Sequence, residues 1–130
     1  MLIANKSNDK VMISVIGEIM SENEWTFSDA LYLRDILDAA GDMPIDLWVS
    51  SPGGSLDAAL AMRAMLSAHA GGVSVHTAGI VASAATLLLC LPNAEVTAER
   101  GSVFMIHTAR MGAAGDAREM RKAADALDAC

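Results

Sequence analysis

The sequence predicts an α/β layer architecture with largely parallel strands, on three observations. Short runs rich in Val and Ile alternate with helical periodicities, and glycines or prolines punctuate the changeovers. Apolar residues make up 53% of the chain and aromatics only 4%, so the core must be built from Ala, Val, Ile, Leu and Met. At 130 residues the chain is one domain by size. Such a length can bury about two thirds of its unfolded surface.

The elements follow in order. Val11 to Ile16 reads as a strand stopped by Gly17. A helix follows, with Thr26 or Ser28 as N-cap. Its Leu33, Ile36, Leu37 and Ala40 recur at helical spacing, and Gly41 is its stop signal. Pro44 opens a second strand, Ile45 to Val49, which runs into the turn Ser51-Pro-Gly-Gly-Ser. Ser55 caps a helix from Leu56 to about Ala70, broken by Gly71-Gly72, and Val73 to Thr77 forms a third strand. A short helix from about Ala82 to Leu89 has no charged face to present to water and is expected to be buried. Ala94 to Thr97 and Ser102 to Ile106 read as further strands, and Thr108 to Gly115 as a glycine-containing loop. The last helix begins near Asp116 and is expected to turn Ala117, Met120, Ala124 and Leu127 inward. It carries no stop signal, so the chain is expected to be cut within it, leaving a single domain over 1–130 that is C-terminally incomplete.

Charge and composition exclude several functions. A net charge of −7, with nine basic residues in no block or stripe, speaks against nucleic-acid binding. Met1 to Lys10 is polar where a signal peptide needs an apolar run, and Ala78 to Pro92 is too short to span a bilayer. The expected compartment is the cytoplasm, with no membrane partner. Scattered histidines without Cys partners or His-x-x-x-His spacing argue against a metal, and no cofactor motif is present. The nine methionines are expected to fill gaps in the core, and Cys90 to be a buried apolar filler.

Three features can support acyl transfer. Ser83, in Gly79-Ile-Val-Ala-Ser-Ala-Ala, falls at the start of a helix, where unpaired N–H groups favour developing negative charge. It is either a nucleophile there, with the Ala84 N–H as an oxyanion donor, or a residue that simply packs among small neighbours. His107, in Phe104-Met-Ile-His, ends a strand beside a glycine loop and is either a general base or a hydrogen-bonded structural residue. His69 and His76 fit the structural role better. The Ser51-Pro-Gly-Gly turn is either a plain strand-to-helix turn or the source of a second oxyanion donor, the Gly53 N–H.

Together, Ser51-Pro-Gly-Gly-Ser, Gly79-Ile-Val-Ala-Ser-Ala-Ala, Leu91-Pro-Asn and Met105-Ile-His resemble the proteolytic subunit of the Clp protease (ClpP) family, in the family's order and near its spacing. The tail Gly115-Asp-Ala-Arg-Glu-Met-Arg-Lys-Ala-Ala-Asp-Ala-Leu-Asp brings the chain closest to the phage ClpP-like head maturation proteases. The likeness covers roughly residues 11 to 129.

The resemblance implies a crotonase-like ββα spiral and a serine endopeptidase acting on extended polypeptide. Ser83 would be the nucleophile and His107 the base, with Gly53 and Ala84 forming the oxyanion hole through their backbone N–H groups. The Gly53-Gly54 pair and the segment from Thr108 to Gly115 would flank a substrate bound as an added strand. It also implies a homo-oligomeric ring, of seven or two stacked sevens, with a separate ATP-driven unfoldase or phage capsid and scaffold proteins as partners.

The sequence departs from the family in lacking an evident carboxylate to orient His107. Asp116, Asp125 and Asp128 read as a helix cap and solvated positions, and removal of that carboxylate typically costs about 10⁴ in rate. Two other readings therefore stand beside the peptidase. One is a catalytically silent structural subunit that keeps the fold for assembly. The other is a crotonase-fold enzyme acting on an acyl-thioester, against which the Ala-Ser-Ala context and His107 argue. A signal-peptide-peptidase relative would share Ser-Pro-Gly-Gly but use a lysine base.

Overall fold

A computed structural model of the chain describes residues 2–20, 29–110 and 112–129. Strands β1 (Leu2–Lys6) and β2 (Val11–Ile16) form an antiparallel pair. Helix α1 (Asp29–Ala40), strand β3 (Ile45–Ser51), helix α2 (Leu56–Ala68) and strand β4 (Val73–Ala82) follow. A 3-10 helix (Ser83–Leu89), strands β5 (Glu95–Ala98) and β6 (Val103–Met105) and helix α3 (Ala117–Asp128) complete the described chain. The described strands make one sheet in the order β1-β2-β3-β4-β5, with β6 also paired to β4. All pairings but the first are parallel, as the alternation of elements predicts.

Alternation in β2 and β3 sends Ile13, Val15, Leu47 and Val49 to one buried face. Leu33 of α1, Met62 and Leu66 of α2, and Leu88 of the 3-10 helix belong to the same core. Helix α2 starts where Ser55 Oγ accepts from the Ala58 N–H, the cap expected from the sequence. The apolar 3-10 helix buries Ala84, Ala85 and Leu88, again as its composition requires.

Several expectations are corrected. β1 was not foreseen, because Leu2 to Lys6 has one buried residue, Leu2, and little apolar pattern to read. The third predicted strand does not stop at Thr77. It runs on to Ala82 because Gly79, at φ +77, lies within it where the β3–β4 register shifts. The helix predicted from Ala82 is 3-10 rather than α and begins at Ser83. α3 starts at its Asp116 capping box, yet none of its residues is buried, so Ala117, Met120, Ala124 and Leu127 are not core. The methionines are not uniformly core either: Met62 is buried, whereas Met12, Met20, Met105 and Met120 are exposed. Cys90 is exposed at the end of the 3-10 helix, where the chain turns out of the core. The N-cap expected at Thr26 or Ser28 lies outside the described residues.

The second face of the sheet carries a polar cluster. Lys10 Nζ lies 2.5 Å from Asp46 Oδ2, and His76 Nε2 lies 3.1 Å from Oδ1 of the same carboxylate. The His76 ring stacks on Trp48 with centroids 4.8 Å apart. His69 contacts the Met43 carbonyl through Nε2 at 2.8 Å. Both histidines thus take the structural places the sequence suggested.

The hydrogen bond from Lys10, opposed in part by burial and helped by His76, holds the Asp46 carboxyl below its ordinary value of 3.8. A depressed folded pKa means that the unfolded chain binds the proton more readily. The stabilisation is therefore present in full above the ordinary value and is lost as pH falls through the lowered one. Asp46→Asn should flatten the acid limb of stability below pH 3.8 and also the part of the alkaline limb above 10.5, where the Lys10 ammonium that Asp46 holds protonated is lost, read as urea midpoints across the pH range.

Candidate active site

Ser83 sits at the junction of β4 and the 3-10 helix with φ +53, one of two described non-glycine residues with positive φ. Left-handed backbone at a serine costs on the order of 1–3 kcal/mol and persists only where the surroundings over-determine it. Here the surroundings are identifiable. Ala82 and Ala85 on either side are fully buried, and Thr86 Oγ1 donates to the Ser83 carbonyl at 2.6 Å. A sharp strand-to-helix turn of this kind lifts a hydroxyl out of the sheet, the geometry of a nucleophile elbow.

The glycine turn packs directly against it. A Cβ placed on Gly53 would stand 2.7 Å from both the Ala82 carbonyl oxygen and Ser83 Cβ, and 3.1 Å from the Ala84 nitrogen. Gly53 also holds φ +100, so both its conformation and its neighbours demand glycine. Its backbone carbonyl accepts from the Ile19 N–H at 2.8 Å, and Gly54 bridges Ile19 in parallel. One edge of the Gly53-Gly54 pair is therefore already used inside the fold.

His107 arrives by register. β6 pairs with the end of β4 through Ile80↔Val103, Val81↔Phe104 and Ala82↔Met105. The residues following the two strands, Ser83-Ala84 and Ile106-His107, thus leave the sheet side by side. Both Ser83 and His107 line one cleft of about 290 Å³, together with Gly54, Leu56 and Ala84, Thr86 and Leu87 of the 3-10 helix, and Ile106, Ala109 and Arg110.

The ring of His107 is exposed, and its Nδ1 lies 2.6 Å from the Thr108 carbonyl oxygen. A carbonyl can only accept, so Nδ1 carries the proton and the neutral ring keeps its lone pair on Nε2. Among the described residues no carboxylate hydrogen-bonds to this ring, and Asp116 is engaged as the α3 cap, accepting from the Arg118 and Glu119 N–H groups. No group of three or more His, Cys, Asp or Glu among the described residues is placed to hold a metal ion.

The cleft brings together Ser83, His107, Ala84 and Gly54 of the residues singled out in the sequence. Thr108 is not part of the lining; it holds the histidine ring instead. Gly53 lies behind the wall, and its N–H donates to the buried Ser51 Oγ at 3.1 Å rather than into the cleft. Ala109 and Arg110 belong to the Thr108 to Gly115 segment expected beside the substrate, whereas sequence reasoning missed Leu56, Thr86, Leu87 and Ile106 as lining. Thr86 lies one turn after Ser83, and the others flank recognised motifs, but residue type alone gave no sign that they face the same space.

Gly53→Ala should force the backbone away from Ala82 and Ser83. The expected result is a loss of about 1–3 kcal/mol in urea unfolding, together with slowed modification of Ser83 by a fluorophosphonate. Gly72→Ala, a positive-φ glycine whose Cβ would meet nothing within 4 Å, should cost stability without altering that modification.

No helix of the described residues is long and apolar enough to cross a membrane. No curated protein matches the chain. The sequence model of the family described as Clp protease matches residues 2–130, almost the whole chain and with it every element of the sheet and cleft. With a serine at a strained strand-to-helix turn and a histidine across a shared cleft, the chain belongs to the Clp protease family of serine peptidases.

Proposed function

We propose that this chain is a ClpP-like serine endopeptidase that cleaves extended polypeptide through an acyl-enzyme on Ser83. The observation that carries this reading is the placement of Ser83 and His107 on one cleft by the β4–β6 register, with the histidine tautomer set to accept a proton at Nε2. In the first step Nε2 takes the Ser83 proton as Oγ attacks the scissile carbonyl, and the carbonyl electrons move to oxygen. The resulting oxyanion is received by the Ala84 N–H. The second donor in this reading is the Gly54 N–H on the cleft wall, since the Gly53 N–H serves Ser51. Collapse of the intermediate expels the amine, which takes the proton from Nε2, and water then repeats the sequence to release the acid. The third member of a triad is replaced, in part, by the Thr108 carbonyl, which orients the ring but carries no full charge to stabilise the imidazolium.

The finer setting rests on the motif resemblance: cleavage of capsid or scaffold protein in phage head maturation, in the cytoplasm, by a homo-oligomeric ring, with a separate ATPase where folded substrates must be opened. A second reading, a silent structural subunit, is favoured by one observation, the lack of a carboxylate on His107 among the described residues.

A fluorophosphonate probe distinguishes them. The expected outcome is a single adduct on Ser83, abolished in Ser83→Ala and slowed by about 10²–10⁴ in His107→Gln. A folded protein that forms no adduct would overturn the peptidase and leave the structural subunit.

A further inference from the structure

The cleft beside Ser83 has an uneven charge. Among the described residues that line it, Arg110 carries the one fixed charge, and the rest of the lining is apolar or neutral apart from His107. Arg110 is exposed and, among the described residues, forms neither an ion pair nor a hydrogen bond. The Arg100, Arg118, Arg121 and Lys122 side chains are likewise without such a partner among the described residues, and what sets Arg110 apart is its place on the cleft lining. Two carboxylates stand by the glycine turn. Glu18 lies close enough to Gly54 that a Cβ there would meet its Cγ at 2.9 Å. Asp57 accepts from Ser55 Oγ and is committed to the start of α2. Of the apolar lining, Ile106 is 83% exposed and Leu56 is 38% exposed. Apolar surface left open in a concave site is where a ligand side chain gains most by burial.

Resting on the peptidase reading above, we propose that Arg110 makes this cleft selective for polypeptide segments in which an acidic residue lies within two positions of an apolar one at the scissile bond. The apolar side chain is covered by Leu56, Leu87 and Ile106, and the carboxylate is paired by the Arg110 guanidinium. Arg110, Ile106, Leu56 and Leu87 line the same cleft as Ser83, which keeps the pairing close to the scissile bond. Arg110 is a specificity residue in this account and takes no part in the bond chemistry.

The test separates recognition from catalysis. Binding of labelled peptides that differ only in Asp, Asn or Lys, scanned over the two positions either side of a Leu, is measured by fluorescence anisotropy on the full chain carrying Ser83→Ala. The Asp peptide should bind about two- to five-fold tighter than its Asn isostere, and the Lys peptide more weakly than either. The preference should shrink at high salt and vanish in the double variant that adds Arg110→Gln. Adding Arg110→Glu instead should reverse it in favour of Lys. Equal binding of the three peptides, no binding of any, or an Asp preference that survives Arg110→Gln would overturn the proposal. Fluorophosphonate labelling of the otherwise unaltered protein reports on the peptidase reading alone. An Asp preference without an adduct would keep the selective cleft and discard the acyl-enzyme.

Discussion

The continuity of β4 is the constraint on which the site depends. This one strand pairs with β3, β5 and β6, and its last residues pair with β6 after the register with β3 has shifted. Were it to end at Thr77, β6 would have no partner and His107 would have no fixed relation to Ser83. Gly79, at φ +77 and with Ser50 Oγ 3.2 Å from where a Cβ would stand, lets the strand pass through the irregularity without breaking. Buried Val81 and Ala82 then anchor its end against the core. The backbone hydrogen bonds of the sheet, rather than any side-chain contact, hold Ser83 and His107 on the same cleft.

The strain at Ser83 follows from the same arrangement. A strand delivered rigidly into a helix that must start at once leaves a single residue to reverse direction, and that residue takes a left-handed conformation. The cost, on the order of 1–3 kcal/mol, is modest against the burial of Ala84, Ala85 and Leu88 immediately after it. Gly53 closes the arrangement from the other side. Its missing side chain is what allows two backbone segments to lie in contact, and its amide, turned to Ser51, leaves the next glycine to face the cleft.

Much of this was legible in the residues. Val11–Ile16, the Ser55 cap and the Asp116 cap are local signals, set by side-chain type and spacing, and they appear where expected. The long reach of β4 was not legible, because a glycine inside a strand and a glycine ending one look alike in sequence. α3 misled for a related reason. A helical stripe of Ala117, Met120, Ala124 and Leu127 states that a face exists, but not that this chain covers it. Cys90 and the exposed methionines erred the same way, since apolar type biases a residue toward the core without assigning it a place there.

By itself the sequence determined the fold class, the order of elements from β2 onward and the identity of the serine, histidine and glycine motifs, because these rest on short-range periodicity and residue chemistry. Only the tertiary structure decided which of those residues meet. The pairing of β4 with β6, the positive φ of Ser83, the Nδ1 proton on His107 and the entry of Arg110 into the cleft depend on segments distant in the chain or on backbone angles. No single residue type encodes such features, since each is the outcome of closing the sheet and packing the helices against it.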